Sequence, residues 1–396
     1  MSGTQQMIPV AKPLLDEREV DAARRAIMSG WVTQGPEVAA FEREFAGFVG
    51  APYACAVSNC TTALHLALKA VGIRPGDEVI TVSHSFIATA NAIRYCGGIP
   101  VFVDIERDGY NIDPDLIAAA ITSSTRAILC VHQLGMPCDL TRILEVAGSH
   151  GLPVIEDAAC AIGSEIHLGG DWRKIGTPRA DIACFSFHPR KVVTTGDGGM
   201  LTTADPDYDR MFRLWRQHGM SVSDTVRHGA REVIYESYPE LGYNYRMTDV
   251  QAAIGREQLR RLPVIIERRR QLAEQYRHAL ADIPGLASPV EPYWARSNWQ
   301  SYCVRLPAAA DQRSVMQALL DRGISTRRGV MNIHLEAAYA DPNSFRRASS
   351  LKNSVDAQSG SIILPLYTQM TSEEFSAVID GLHDVLGRRA LTAARA

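Results

Sequence analysis

Short apolar runs alternate with helical patterns of apolar and polar residues between about residue 50 and residue 205. The runs are short enough for buried strands, and polar or turn-forming residues bound them. Strands that alternate with helices are typical of a mostly parallel, helix-covered sheet. The predicted strands are residues 78–82, 100–105, 126–131, 152–156, 181–187 and 199–203, and the predicted helices are residues 61–69 and 86–95.

The pattern changes after about residue 205, where longer helical stretches dominate. Residues 298–306 predict a strand of a different sheet, and Pro263 predicts an interruption of the helical stretch 249–280. We therefore expect an α/β protein with a large domain on the parallel sheet, residues 13–248, and a smaller C-terminal α+β domain, residues 249–396. Further predicted helices are residues 206–217, 312–321 and 372–386.

Charge and composition exclude several classes of partner. Lys and Arg total 41 against 44 Asp and Glu, so the net charge of −3 gives no basic field for nucleic acid or an anionic membrane. No apolar run reaches membrane-spanning length, and the first residues lack the apolar core of a signal peptide. The eight cysteines form no CxxC pair, which favours buried free thiols over disulfides or a metal site. We therefore expect a cytoplasmic protein without a bound metal.

The most informative segment is FSFHPRKVVTTGDGG, residues 185–199, in which a lysine follows a buried strand and precedes a glycine-rich turn. A single lysine is usually a solvated surface charge. In open α/β sheets, however, ligands bind outside the carboxyl ends of the strands. A lysine held there can lose its proton and form a Schiff base with an aldehyde, so Lys191 is a candidate for that chemistry.

A carboxylate ends another predicted strand in VIEDAACAIGSE, residues 154–165. Asp157 could be only a helix cap, or it could form a salt bridge with a protonated ring nitrogen of a cofactor. Glu156 alternates to the other face of the strand and is the weaker candidate.

Small polar residues precede the predicted helix in SNCTTALHLAL, residues 58–68. Such residues are favoured helix N-caps, but a helix N-terminus with free N–H groups is also a phosphate site. The chain has neither GxGxxG nor GxxxxGK[ST], which argues against a dinucleotide-binding or Walker-type phosphate loop.

Together these segments resemble the DegT/DnrJ/StrS-type sugar aminotransferases, a family of fold-type I pyridoxal-phosphate enzymes. The resemblance covers nearly the whole chain, and FSFHPRK before GDGG, taken with GYNYRMTD, is its most specific part. The matching stretches also include WVTQGPEVAAFE (31–42), SHSFIATANAI (83–93), PVFVDI, EDAACAIGS, LGYNYRMTDVQAAIGREQL (241–259) and ILPLYTQMT (363–371).

The resemblance implies a role for each matched residue. Lys191 resembles the lysine that binds pyridoxal 5′-phosphate (PLP) as a Schiff base, and Asp157 resembles the partner of its pyridine nitrogen. Phe86 occupies the position of an aromatic ring stacked on the cofactor, with ordinary core packing as the alternative. Asn244 resembles a residue that reaches the phosphate from the neighbouring subunit, which implies a homodimer with shared active sites.

The phosphate turn and the ring contact include two departures from the family's pattern. Cys60 and Thr61 occupy the turn that binds the phosphate, where Gly is usual at position 60, and Ser186 resembles a further phosphate ligand. Cys160 stands where Gln is usual near the phenolic oxygen of the cofactor. A thiol donates a weaker hydrogen bond than an amide, so the tuning of the ring and the choice of substrate stay open.

Several polar residues in matching segments are candidates to contact the substrate. They are His188, Arg246, Arg327, Arg328 and His334. His188 could contact substrate or merely satisfy a backbone carbonyl, and surface salt bridges are the alternative for Arg327 and Arg328.

The resemblance implies an aminotransferase that moves an amino group from an amino acid, expected to be L-glutamate, to a keto sugar. The expected acceptor is a nucleotide-activated 3- or 4-keto deoxysugar, with a cyclitol ketone as the next candidate. In the implied ping-pong mechanism, pyridoxamine 5′-phosphate carries the amino group between half-reactions, and Lys191 is both anchor and general acid/base.

Three other functions are weighed against transamination. A sugar dehydratase of this kind carries His in place of the anchoring lysine, so Lys191 argues against it. A non-catalytic relative would lose Lys191 or Asp157, and both are present. A nicotinamide dehydrogenase would carry the glycine fingerprint that this chain lacks.

Overall fold

The computed structural model describes residues 7–222 and 224–393. In that part of the chain, no helix combines the length and the apolar character needed to cross a membrane. The α-helices are α1 Glu17–Met28, α2 Pro36–Val49, α3 Cys60–Ala70, α4 Ala88–Tyr95, α5 Ile117–Ala120, α6 Leu140–His150, α7 Pro206–Trp215, α8 Asp224–Gly229, α9 Asp249–Ala279, α10 Gln312–Leu320, α11 Lys352–Gly360 and α12 Ser372–Ala393. The strands are β1 Tyr53–Val57, β2 Glu78–Val82, β3 Ile99–Val103, β4 Thr125–Val131, β5 Val154–Asp157, β6 Glu165–Leu168, β7 Asp171–Lys174, β8 Ile182–Ser186, β9 Gly199–Thr203, β10 Ala295–Arg296, β11 Tyr302–Arg305, β12 Arg327–Arg328, β13 Arg346–Arg347 and β14 Ser361–Leu364.

The main sheet has eight strands in the order β1-β9-β8-β5-β4-β2-β3-β13. The strands from β8 to β13 in this order run parallel to one another, and β9 is antiparallel to both of its neighbours. The predicted mostly parallel sheet is therefore confirmed.

Helices cover both faces of this sheet, so alternate residues of each strand enter two different cores. In β2, Ile80 and Val82 belong to the core that includes residues of α2, α6 and α9, whereas Val79 belongs to the core that includes residues of α3, α4 and α7. Strands buried on both faces are apolar at nearly every position. This burial explains why continuous apolar runs revealed them in the sequence.

Two three-stranded sheets lie beside the main one, in the orders β10-β6-β7 and β11-β14-β12. The strand expected at residues 298–306 is β11, and it belongs to a different sheet as predicted. A separate core joins this sheet to α10, α12 and the C-terminal half of α9. The domain division at residue 248 stays a prediction, because β10 and β13 beyond it pair with β6 and β3 before it.

The expected interruption at Pro263 is wrong, because α9 is one helix of 31 residues that continues through the proline. A proline inside a helix removes one hydrogen bond and costs about 3 kcal/mol. Buried side chains on both sides of the proline offset this cost. Leu262 and Ile265 pack into the main-sheet core, and Tyr276 packs into the core beside β11.

Asp249, in the motif GYNYRMTD, caps a helix that is distant in sequence. The N-cap of α2 is Gly35, which has no side chain to accept the free N–H groups at the start of the helix. The Asp249 carboxylate accepts hydrogen bonds from the N–H groups of Gly35, Glu37 and Val38 at 2.8, 3.1 and 3.0 Å. The motif therefore joins α9 to α2.

Replacing Asp249 by alanine should lower the free energy of unfolding by about 2 kcal/mol, since helix N–H groups lose their acceptor in a mostly buried place. Urea unfolding followed by circular dichroism measures the change. The control is Asp21→Ala, which removes only an exposed ion pair with Arg24 and should stay within about 0.5 kcal/mol of the wild type. Equal stability of the two variants would contradict the capping role.

Candidate functional site

The carboxyl ends of the parallel strands border one cavity of about 710 Å³. Ser85 and Phe86 follow β2, Asp157 is the last residue of β5, and Ser186 is the last residue of β8. All four line the cavity, together with Lys191 in the loop after β8. Three segments that are separate in the sequence therefore meet at one edge of the sheet.

Lys191 lies in the wall of this cavity with its amine beside a thiol. Its Nζ donates a hydrogen bond to the Sγ of Cys160 at 3.1 Å. Burial by itself would lower the pKa of the Lys191 amine, but the Cys160 sulfur and the Asp157 carboxylate outweigh burial and raise that pKa. The Cys160 sulfur and the Asp157 carboxylate thus lie where they favour the charged form of the amine.

Asp157 is a buried carboxylate, with only 5% of its surface exposed. Its Oδ2 accepts a hydrogen bond from the Thr89 hydroxyl at 2.8 Å, and its Oδ1 accepts one from the N–H of Ala159 at 3.2 Å. Burial raises the pKa of Asp157, while these hydrogen bonds and the Lys191 charge act in the opposite direction. Such a carboxylate gains from a cationic partner inside the cavity.

The start of α3 forms a cradle for an anion. Asn59 accepts the N–H of Thr62 and caps the helix, whereas the N–H groups of Cys60 and Thr61 have no hydrogen-bond acceptor among the described residues. Gly199 in β9 lets the start of α3 lie against that strand, because a Cβ at residue 199 would lie 2.4 Å from the Asn59 carbonyl oxygen. Free N–H groups and the positive end of the helix dipole suit a phosphate.

Two more predicted residues lie in the wall of the cavity. Phe86 is 61% exposed, so the core-packing alternative for its ring is wrong, and the ring is free to cover a flat ligand. Ser186 is buried, and its hydroxyl accepts the N–H of His188 at a long 3.4 Å.

His188 also lines the cavity, and the structure changes one of its two interpretations. Its Nδ1 accepts the N–H of Arg190 at 3.2 Å, so the ring satisfies a backbone N–H and not a carbonyl. Burial, Arg190 and Lys191 lower the pKa of His188. The Nε2 position then carries the proton and can donate to a ligand.

Three predicted residues are not among those that line the cavity. Asn244 is exposed and pairs with Gln217 through an isolated bridge, and Arg246 also lies outside the lining. His334 is buried, with its Nδ1 2.6 Å from the Ser83 hydroxyl, so it supports the turn that carries Phe86.

Arg327 and Arg328 do line the cavity, from β12 on its far side. Arg328 forms an ion pair with Glu336 at 3.2 Å, which is the surface salt bridge of the alternative interpretation. No ion pair of Arg327 is present among the described residues. The alternative therefore holds for Arg328 and is wrong for Arg327.

Sequence reasoning missed several residues of the cavity. Thr89 follows Phe86 by three positions at the start of α4, and Arg190 lies inside the motif FSFHPRK, so both had a local signal. Gln300 and Ser301 come from a distant loop and had none.

An amine, a buried carboxylate, free N–H groups at a helix start and an exposed aromatic ring thus share one cavity. They match the aldehyde, the ring nitrogen, the phosphate and the ring face of PLP in their chemistry. Together with the parallel sheet, they define a fold-type I PLP enzyme.

Comparison with protein families agrees with this class. The model of the DegT/DnrJ/EryC1/StrS aminotransferase family matches residues 13–383. The chain belongs to this family and is a PLP-dependent sugar aminotransferase. The dehydrogenase and non-catalytic alternatives are therefore wrong.

Individual relatives match over nearly their whole length. The chain is 38% identical to the spore coat polysaccharide biosynthesis protein SpsC of Bacillus subtilis over 383 residues, which are 96% of this chain and 97% of SpsC. It is 34% identical to the aminotransferase TlmJ of Streptoalloteichus hindustanus, with a TM-score of 0.87 over 96% of this chain and 99% of TlmJ. Spr1654 of Streptococcus pneumoniae, solved in a PLP form, is 27% identical, with a TM-score of 0.88 over 96% and 99% of the two chains. Its pyridoxamine-phosphate form is similarly close.

Proposed function

We propose that this enzyme transfers an amino group from L-glutamate to a nucleotide-activated 3- or 4-keto deoxysugar, with both half-reactions in the same cavity. The arrangement that carries the proposal is Lys191 and Asp157 in one cavity whose wall also includes Arg190 and Arg327, besides the paired Arg328. Neither Arg190 nor Arg327 forms an ion pair within the described residues. Both substrates are anions, so the two guanidinium groups suit a carboxylate and a diphosphate in turn.

Different residues of the cavity would bind different parts of PLP. The N–H groups of Cys60 and Thr61, with the hydroxyl of Ser186, would hold the phosphate, and Asp157 would hold the ring nitrogen in its protonated form. Phe86 would cover the ring. Bound in this way, PLP supplies an electron sink that acidifies the α-carbon of the donor.

Lys191 supplies the proton transfers. The Lys191 amine, in its free-base form, would take the proton from the α-carbon of the donor and later return a proton. The Cys160 sulfur, which accepts a hydrogen bond from Nζ, keeps the amine near Asp157. The same amine then works in reverse when the keto sugar is the acceptor.

The absorbance spectrum of the holoenzyme, recorded before and after L-glutamate, tests the donor. Glutamate should convert the visible PLP band into the ultraviolet band of pyridoxamine phosphate and release 2-oxoglutarate. A panel of nucleotide-linked 3- and 4-keto sugars and cyclitol ketones should then restore the visible band for one class only. A cofactor that ignores glutamate but responds to another amino acid would overturn the donor, and restoration by cyclitol ketones alone would overturn the acceptor.

Replacing Arg327 by alanine should raise the KM for the keto sugar about tenfold and leave kcat nearly unchanged, because a guanidinium that binds a remote anion stabilises ground state and transition state equally. Steady-state kinetics measures both constants. The control is Arg313→Ala, an exposed arginine on α10 outside the cavity, which should behave as the wild type. A normal KM in Arg327→Ala would remove this residue from the substrate site.

We also propose a homodimer in which Asn244 completes the site of the partner. Asn244 is exposed, and the segment before it exposes Tyr235, Tyr238 and Leu241 by 91, 59 and 79%. Exposed apolar side chains grouped in this way favour a protein contact.

Mixing two inactive variants tests this arrangement. Lys191→Ala and Asn244→Ala, refolded together, should form hybrid dimers with one intact site, and activity should return. Failure to recover activity in proven hybrids, or an active monomer in light scattering, would overturn the shared site.

The proposed cellular location is the cytoplasm, because free thiols are stable there. The eight cysteines are all unpaired in the structure. Fractionation of cells with an antibody against the protein tests this location, and recovery from the secreted fraction would overturn it.

A further inference from the structure

A second cavity of about 460 Å³ lies beside the cofactor cavity and is not used by the proposed reaction. One side is formed by the loop from Glu106 to Asp115, which follows β3, and the other by residues before β11. Its wall combines two indole rings with a group of carboxylates.

The apolar side of this second cavity is formed mainly by Trp294, Trp299, Met136 and Val290. Val290 is 80% exposed although it borders the cavity, whereas Trp299 is 8% exposed. Indole faces attract cations as well as apolar rings. This side therefore suits a ligand with an apolar or ring-shaped body and a positive charge.

The polar side has an excess of negative charge. Four carboxylates line it, those of Glu106, Asp108, Asp113 and Asp115, against the guanidinium groups of Arg107 and Arg142. Arg142 is already paired with Asp115. No cation of the described residues lies within ion-pair distance of Glu106.

Glu106 is a half-buried carboxylate in the wall of this cavity. Burial, followed by the charges of Asp113 and Asp139, raises the pKa of Glu106 to about 7, and Arg142 only partly opposes them. A carboxylate of this kind gains free energy when an ammonium group takes the place of a missing partner.

We propose that the second cavity binds an organic ammonium ion, with its charge at Glu106 and its body against Trp294 and Trp299. Two sources supply this chemistry: an amino sugar, whose amino group the proposed function would install on a nucleotide-linked sugar, or an amine with an apolar body. The attribution to an amino sugar rests on the proposed function, whereas ammonium binding does not.

The two cavities share part of their walls. Gln133, Leu134 and Ser301 line both cavities, and the N–H of Ser301 donates to the carbonyl of Leu134 at 3.3 Å. Leu134 and Trp299 have positive φ angles of 60° and 50°, a conformation that costs a residue with a side chain about 1 kcal/mol or more. A ligand in the second cavity would therefore contact residues that also border the cofactor cavity.

Calorimetric titration of the holoenzyme with benzyltrimethylammonium chloride tests the site. This probe carries a ring and a cation but cannot form a Schiff base, so binding is separated from the chemistry of PLP. We expect saturable one-to-one binding with a dissociation constant on the order of 1 mM or below. Benzyl alcohol, the neutral probe, should give no saturable heat.

Variants assign the binding to this cavity. Glu106→Gln should weaken the probe about tenfold and Trp294→Ala about fivefold, while Glu145→Gln, an exposed carboxylate on α6 outside the cavity, should change nothing. Glucosamine and cyclohexylamine, titrated into the Lys191→Ala protein without cofactor, distinguish the two sources. No binding of any cation, or full binding by Glu106→Gln, would overturn the proposal whatever the enzyme's substrate proves to be.

Discussion

The Lys191→Ala enzyme should lose turnover by about 10⁴-fold or more, because one change removes the residue proposed as both the covalent anchor and the proton-transfer group. Nζ is in contact with Cys160 and near Asp157 inside the cavity. No other lysine lines this cavity in the part of the chain that the structure describes. The measurements are the steady-state rate with the donor and the best acceptor, and the visible spectrum after PLP is added.

Two controls separate this effect from misfolding. Lys352→Ala removes an exposed lysine that pairs with Asp356 on α11, outside the cavity, and it should keep full activity and the visible band. Lys191→Ala itself should unfold in urea close to the wild-type midpoint of the PLP-free protein, since a partly buried ammonium gives way to a small apolar group. A well-folded Lys191→Ala enzyme with a near-normal rate would refute the assignment of the lysine.

Elements that are buried on both sides could be predicted closely from the sequence. β2 and β9 match the expected residues 78–82 and 199–203, and α3 differs from its prediction by one residue at each end. In each case the apolar pattern is local and turn or cap residues bound it.

Elements that exist only through tertiary pairing could not be predicted. β13 is two residues long, Arg346–Arg347, and it is a strand because it pairs with β3 at the sheet edge. The continuity of α9 through Pro263 likewise depends on two cores that no local pattern reveals. Such tertiary contacts override the local helix and strand propensities of the residues when they are strong enough.

The site divides in the same way. Its residues at the strand ends were predictable because parallel strands end at one edge of a sheet. The residues that support the site from distant parts of the sequence were not predictable. The Asn298 side chain donates to the carbonyls of Cys160 and Ile162 and so holds the segment that includes Cys160, the partner of Lys191. Arg269 donates to the carbonyls of Trp299 and Gln300 and fixes the neighbouring loop.

Replacing Asp157 by asparagine should lower kcat by about 10²- to 10³-fold, because the change removes the buried charge proposed to keep the ring nitrogen of the cofactor protonated. Removing one partner of a buried ion pair costs about 3–5 kcal/mol, and about 1.4 kcal/mol corresponds to a tenfold change in rate. The amide keeps the local hydrogen bonds, since its oxygen can accept the N–H of Ala159 and its NH₂ can donate to Thr89. The folded structure should therefore survive the change.

Glu156→Gln is the matched control, on the next residue of the same buried strand. Glu156 lies outside the cavity, and its Oε2 is 2.8 Å from the Nε2 of His132. The Nδ1 of His132 accepts the N–H of Cys138, so the proton on Nε2 donates to Glu156 and can donate equally to an amide. Glu156→Gln should keep kcat within about threefold, although it also removes the charge of a buried carboxylate on β5. If both variants lose activity equally, the effect of Asp157 comes from the stability of β5, and a selective loss in Asp157→Asn assigns it to the cofactor ring.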